Sequence, residues 1–411
     1  MNTPTETSSC TGHECCIGHN QPRLTGALVL LLAMTAGLAV ANVYVAQPLL
    51  DSMAHSLGVA PARIGVVVTV TQIGYALGLI FLVPLGDLID QRKLILGQML
   101  LSVAFLTFAS LVERFALLLA ALALVGLMAV VVQVVVAFGA SLAAPAEQGR
   151  VVGRITSGIV LGILLARLVS GVVSDLAGWR AVYALSAALM LLMVMLLGLR
   201  MPRHSLTQAG VSYWALLGSV VELFLTEPVL RARAVLAMLV FASFSILWTS
   251  LVLPLSVPDI GYSHTQIGLF GLAGIAGALA ASQAGRRADQ GRGQQTTGVA
   301  LVLLLLSWIP MAYLEASILW LVLGIIVLDF AVQAVHVTNQ SMILAARPDA
   351  SSRLIGGYMV FYSLGSALGA VSSTTVYGWA GWAGVCLLGA SVSMAALLFW
   401  SFTRSGMSVH L

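Results

Sequence analysis

Four polar side chains, Asp329, Gln333, His336 and Gln340, stand at i, i+4, i+7 and i+11 of one long apolar run. At about 100° per residue, that spacing gathers them on one narrow face of a helix. A carboxylate and an imidazole two turns apart are suited to moving a proton. The first can be neutral where it is dry and ionised where water reaches it, and the second titrates near neutrality. Gln333 and Gln340 add donors and acceptors for a solute. One more ionisable group, Arg167, lies inside a different apolar run, and a guanidinium keeps its charge at any accessible pH. It needs an acidic partner, a carbonyl or water. Asp329, His336 and Arg167 are therefore the candidates for coupling proton movement to another event. The plainer readings are a polar stripe that only hydrogen-bonds neighbouring helices, and an Asp329 that pairs with Arg167 and never titrates.

Weaker signals accompany them. Asn42, Tyr44 and Gln47 precede the helix-breaking Pro48; Phe241, Ser245 and Trp248 share one helix face; Gln133 is the only strongly polar residue of its run. Aromatic rings with a few amides suit a partly apolar organic solute or cation, although rings at helical spacing also simply pack.

The elements that must position these groups follow from composition. The chain has 411 residues, of which 60% are hydrophobic and 8% charged, and its mean hydropathy is +1.02. Globular domains carry about 25% charged residues, so this chain cannot coat a soluble surface. Its apolar excess falls in runs of about 20 residues, the length of a bilayer-crossing helix. The fold class is an all-α membrane protein, with spans expected near 25–50, 64–86, 94–112, 116–140, 151–174, 180–200, 234–257, 265–285, 297–314, 317–343, 354–377 and 380–402. That excludes a single-anchored enzyme with a large soluble domain. The chain has no Gly-x-x-x-x-Gly-Lys-Ser/Thr loop and neither a His-Glu-x-x-His nor a Gly-x-Ser-x-Gly motif. Neither nucleotide hydrolysis nor other enzymatic chemistry is expected, and no cofactor.

The net charge of +4 reads against the membrane rather than nucleic acid. With the N-terminus cytoplasmic, fifteen of the nineteen Lys and Arg fall on the inner side and only Arg63, Arg114 and Arg180 outside. The chain then divides into a tail (1–24), a six-span bundle (25–200), a charged linker (201–233), a second six-span bundle (234–404) and a short tail (405–411), both tails cytoplasmic. The apolar part of the linker, roughly 213–225, is too short to span and is expected on the membrane surface or against the bundles. Internal repetition supports the halving. Gly86-Asp-Leu-Ile-Asp90-Gln-Arg92-Lys93 after span two returns as Gly285-Arg-Arg-Ala-Asp289-Gln-Gly-Arg292 after span eight, and Arg154 and Arg353 keep the same offset. Duplicated halves put a solute site between them near the midplane. In the N-terminal tail, Cys10, His13, Cys15, Cys16 and His19 form a donor set that would suit zinc, copper or nickel. Their spacing matches no zinc finger, so no metal and no disulfide are expected, and the start does not read as a secretory signal.

With six plus six spans, a midpoint linker and Gly-x-x-x-Asp followed closely by Arg after spans two and eight, the chain resembles the major facilitator superfamily, in its bacterial drug:proton antiporter-like branch. Asn42-Val-Tyr-Val-Ala-Gln-Pro-Leu-Leu50, the run Gly158-x-x-x-Gly162-x-x-x-Ala166-Arg167-x-x-x-Gly171 leading to Gly178-Trp179-Arg180, and His336-Val-Thr-Asn-Gln340 resemble an exporter subgroup within it. The resemblance implies a major facilitator fold of twelve helices in the bacterial inner membrane. It also implies secondary transport by alternating access: proton-driven efflux of a drug, siderophore or metabolite, or alternatively proton symport for uptake. It implies Gly86, Asp90, Arg92, Lys93, Gly285, Asp289 and Arg292 as a conformational latch toward the adjoining bundle. A small organic solute, protons and the lipid bilayer are the expected partners of a monomer, with no nucleic acid. Two features depart from the branch: Ala166-Arg167 stands where antiporters carry Gly-Pro, and span four lacks an arginine, leaving Gln133.

The topology has a direct test. In a cysteine-free background, an impermeant maleimide added outside should label Arg180→Cys and spare Arg292→Cys; the reverse pattern would invert the orientation.

Overall fold

The computed structural model describes residues 25–144, 147–202, 212–258, 260–346 and 351–407; the Cys/His tail lies outside these. Among the described residues the chain is helical, without strands. Spans one to ten are Gly26–Leu57, Pro61–Asp87, Gln91–Leu111, Phe115–Leu142, Gln148–Ala177, Trp179–Arg200, Pro228–Leu255, His264–Ala288, Gly293–Met311 and Ile318–Ala346. The last helix, Ser351–Met407, is broken at Gly381, where φ is 60° and ψ −160°. It therefore makes two crossings, spans eleven and twelve, and both ends of the bundle sequence lie on the same side.

Local chemistry explains the breaks. Span one passes through a 3₁₀ turn at Gln47–Leu49 before resuming as Leu50–Leu57, because Pro48 cannot donate to the helix ladder. Span five stops at Gly178, whose φ of 80° lets the chain reverse into Trp179 within one residue. Span seven starts at Pro228 rather than at 234 as the sequence reading had it, since proline is favoured in the first turn of a helix. That shift carries Arg233 out of the linker and into the interior, where it is fully buried. Between the halves, the helix Tyr213–Thr226 touches both. The Tyr213 hydroxyl donates to the Phe81 carbonyl at 2.9 Å, and Phe224 stacks on Phe361 of span eleven at 5.2 Å.

Small residues set the closest approaches. Gly158 and Gly162 lie against the backbone of Ala33 and Gly37 in span one of their own half, where a Cβ would collide. Span five meets span eight farther along, Gly171 against the His264 carbonyl and Gly268 against the Arg167 carbonyl. Spans two and eleven meet at the same level: Thr69 Oγ1 donates to the Ala367 carbonyl at 3.0 Å. These contacts between halves all lie toward the end remote from the termini. They are sealed there by Asp175, whose carboxylate accepts from the backbone N–H groups of His264 (3.1 Å) and Thr265 (2.8 Å) and lies 2.9 Å from His264 Nδ1. One half thus supplies a carboxylate to the first N–H groups of a helix in the other, beside that helix's own Ser263 cap.

The repeated charged turns differ from the expected latch. Asp90 caps its own span three, accepting from Arg92 N–H at 2.8 Å and Lys93 N–H at 3.3 Å. Arg92 Nη2 donates at 2.5 Å to the Gly198 carbonyl at the end of span six, within the same half, and Lys93 is exposed. Asp87, the neighbour of Gly86, lies within the field of the Arg353 charge on span eleven. In the second copy the helix runs on through Gly285 to Asp289, and exposed Arg292 precedes span nine.

Removing the Asp175 carboxylate should cost about 1 kcal/mol. A thiol at Ile267→Cys, buried behind this contact, should then react roughly fivefold faster in Asp175→Ala with a maleimide supplied at that end of the bundle. An unchanged rate would show that the carboxylate does not hold this end shut.

Candidate functional site

The groups singled out in four separate spans converge just inside that closed end. Arg167 is 2% exposed and Asp329 3%. Arg167 Nε donates to Gln47 Oε1 at 2.9 Å, the oxygen that the Pro48 turn brings to the interior. The guanidinium carbon lies 3.6 Å above the centre of the Trp248 ring, with Phe244 at 5.4 Å and Tyr44 at 5.6 Å. The edge of the same indole donates from Nε1 to Asp329 Oδ1 at 3.1 Å. Trp248 therefore stands between the two charges, its face on the cation and its N–H on the carboxylate. Arg167 and Asp329 act on each other electrostatically without a direct ion pair. Arg167 belongs to the first half, Trp248 and Asp329 to the second.

This arrangement reads on the alternatives raised by the sequence. Arg167 does not take Asp329 as a contact partner; it takes an amide oxygen and an aromatic face, and its Nη2 has no acceptor. Span eight passes beside the carboxylate at Gly274, where a Cβ would stand 3.7 Å from Asp329 Oδ2. A small cleft with enclosed room of about 10 Å³ opens against this cluster, lined by Gln47, Pro48, Arg167, Trp248, Leu251, Val252 and Ile267.

Other candidates are more dispersed. Tyr44 hydrogen-bonds through its hydroxyl to that of Tyr362 across the halves. His336 is half-buried, 2.9 Å through Nδ1 from the Tyr358 hydroxyl. It is linked to the cluster by the rings of Phe241, 5.1 Å away, and Tyr362, 6.0 Å away. Gln133 donates to the Tyr75 hydroxyl at 3.3 Å. Asn42 is buried with its side-chain oxygen unpartnered. Ser245 turns to Thr249 of its own helix at 3.3 Å, Gln333 packs at Gly277 of span eight, and Gln340 is half-buried. Of the polar stripe on span ten, Asp329 joins the Arg167 cluster directly and His336 only through the rings.

The sequence reading missed Phe244, Tyr358 and Tyr362, although Tyr358 and Tyr362 stand at i and i+4 on one face of span eleven. It also missed a second buried cation. Arg233 Nη1 donates to Thr297 Oγ1 and Asn339 Oδ1, each at 3.2 Å, while its Nε and Nη2 have no partner. Pro228 as a helix start would have placed it within span seven rather than in the linker.

The Major Facilitator Superfamily profile matches residues 29–289 and 233–408. The chain belongs to that superfamily. It is 46% identical over 377 residues to the uncharacterized transporter YgaY of Escherichia coli O157:H7, covering 92% of this chain and 95% of that one. With transporter SCO4007 of Streptomyces coelicolor it shares 29% identity over 359 residues, 87% of this chain and 83% of that one. Among solved structures it is similar to a bacterial homolog of the human lysosomal transporter Spinster in an inward-facing, unoccupied conformation. The TM-score there is 0.73 at 14% identity, covering 92% of this chain and 95% of that one. The protein is thus a multi-pass membrane transporter with the major facilitator fold, and the Arg167 cluster lies between the halves of that fold.

Trp248→Phe keeps a ring over Arg167 and deletes the N–H that holds Asp329. A hydrogen bond to a charged group is worth about 1.5–3 kcal/mol, so transport by this variant should fall at least about tenfold while membrane insertion is unchanged. Wild-type transport would reduce the indole N–H to a packing detail.

Proposed function

We propose that this transporter is proton-coupled, carries a small organic molecule by alternating access, and uses Asp329 as the group that takes up and releases the proton. One observation carries the reading: among the described residues, Asp329 is the only acidic side chain in the buried interior, and it stands one indole away from a cation of the opposite half. Ionisation of a carboxyl depends on how dry its surroundings are. Rocking of the halves changes its access to water, because span eight passes directly beside it and is held by the other half through Asp175. Proton occupancy and bundle geometry are thereby linked. His336 is the second group of the path, and Asp87, beside the Gly86 turn and within the field of Arg353, lies at the end that carries the termini. We place that end in the cytoplasm and the protein in the bacterial inner membrane, on the basic-residue asymmetry.

The energetics suffice. A proton crossing about 100 mV releases about 2.3 kcal/mol and each pH unit adds about 1.4 kcal/mol. Together they support a solute ratio of several hundredfold at one proton per solute. Export in exchange for protons is the direction the subgroup resemblance favours, and uptake with protons is the other. Exchange requires solute and proton to compete for the site; co-transport requires them to bind together. The free donor on Arg167 bears on that choice.

Asp329→Asn tests the carrier role. In proteoliposomes the variant should lose transport driven by a pH gradient and retain exchange of labelled solute across the membrane. Normal gradient-driven transport by the variant would overturn the assignment.

A further inference from the structure

The guanidinium of Arg167 is buried, has an amide oxygen on Nε and an indole beneath its plane, and yet leaves Nη2 without an acceptor. Buried donors are nearly always satisfied, and a guanidinium at a cavity wall with a free nitrogen presents planar N–H groups suited to a carboxylate or a similar oxyanion. The cleft supplies the remaining features. Gln47 and Trp248 flank the cation, and Leu251, Val252 and Ile267 offer an apolar wall. Its enclosed room of about 10 Å³ is that of a single water, far below the roughly 300–1,000 Å³ of pockets that enclose a whole ligand. In this closed state the free N–H of Arg167 therefore faces room for about one water, and a solute would reach it as the halves part.

Resting on the carrier reading of Asp329, we propose that the solute is an organic anion whose carboxylate or equivalent oxyanion is received by Arg167, and that it moves in the same direction as the proton. The groups facing Arg167 and Asp329 decide the sign of the coupling. Span one brings Tyr44 and span eleven Tyr362, two phenols neutral near pH 7 and hydrogen-bonded to each other. Span seven brings Trp248, span eight Gly274 without a side chain, and His336 stands two turns farther along span ten. While Asp329 is ionised, its charge balances Arg167 across the indole. Once it is protonated, the guanidinium is left in the interior without a counter-charge, and an anion entering the cleft restores the balance. Proton and anion bind cooperatively and leave together. A cationic solute would do the opposite, competing with the proton for Asp329 and travelling against it.

The test uses the purified full-length protein and three probes of one shape: benzoate, benzyl alcohol and benzylammonium. Binding is read by tryptophan fluorescence and by melting temperature at about pH 5.5 and about pH 8, either side of neutrality, with benzoate ionised at both. Benzoate should bind, at least about tenfold tighter at the lower pH, and the other two should not. Asp329→Asn, a permanent mimic of the protonated acid, should bind benzoate tightly at both pH values. Arg167→Gln should weaken it at least about tenfold at both, and Arg167→Lys, which keeps the charge and guards against loss of folding, should weaken it several-fold by losing the planar fork. No benzoate binding to the wild type, unchanged affinity in Arg167→Gln, or preferential binding of benzylammonium would overturn the anion site. Loss of benzoate in Arg167→Gln, with a wild-type pH dependence persisting in Asp329→Asn, would keep the anion site and overturn the proton role of Asp329.

Discussion

Trp248 interposed between Arg167 and Asp329 is the contact on which the rest of the arrangement depends. Each charge alone would be costly in the interior, with an effective penalty on the order of several kcal/mol per ion. A direct ion pair would offset that penalty and also lock the halves, because the partners come from opposite bundles. The indole avoids this: its face attracts the cation, its N–H holds the carboxylate, and the two charges balance at a distance. The pair remains responsive to a proton or a solute ion arriving between them.

The fold supports this contact from both sides. Gly158 and Gly162 let span one approach span five closely enough for Gln47 to reach Arg167 Nε. Gly268 and Gly274 let span eight pass the same arginine and the carboxylate with no side chain in the way. Asp175 then fixes span eight by its first turn, so the helix beside Asp329 is tethered to the opposite half at one end. A carboxylate at a helix N-terminus is a polar contact that can exchange with water when the halves separate, unlike a packed apolar seam.

Arg233 is the counterpart toward the other end of the bundle. It is fully buried and donates to Thr297 and Asn339 of its own half. Its neighbour Tyr358 bonds His336, so span ten carries polar contacts toward both ends: Asp329 to the interface between halves, His336 and Asn339 into the interior of its own bundle.

Much of the architecture was legible in the residues. Twelve apolar runs, the repeated Gly86 and Gly285 turns and the midpoint linker specify two bundles of membrane helices, because span length and hydropathy are local properties that lipid enforces. The identity of the principal charges was legible for a related reason: a charge in an apolar run stands out whatever its neighbours. What the residues could not determine was which polar groups meet. The span ten stripe points one way by helical spacing, yet only Asp329 reaches the Arg167 cluster directly. Gln333 faces span eight and His336 faces Tyr358, because crossing helices diverge along their length. The latch charges were visible, but their turn folds them onto their own bundle. The separation of Arg167 from Asp329 by Trp248 depends on three spans from two halves meeting at one level. That is set by glycine contacts and a proline turn far apart in the chain, so only the tertiary structure decided it.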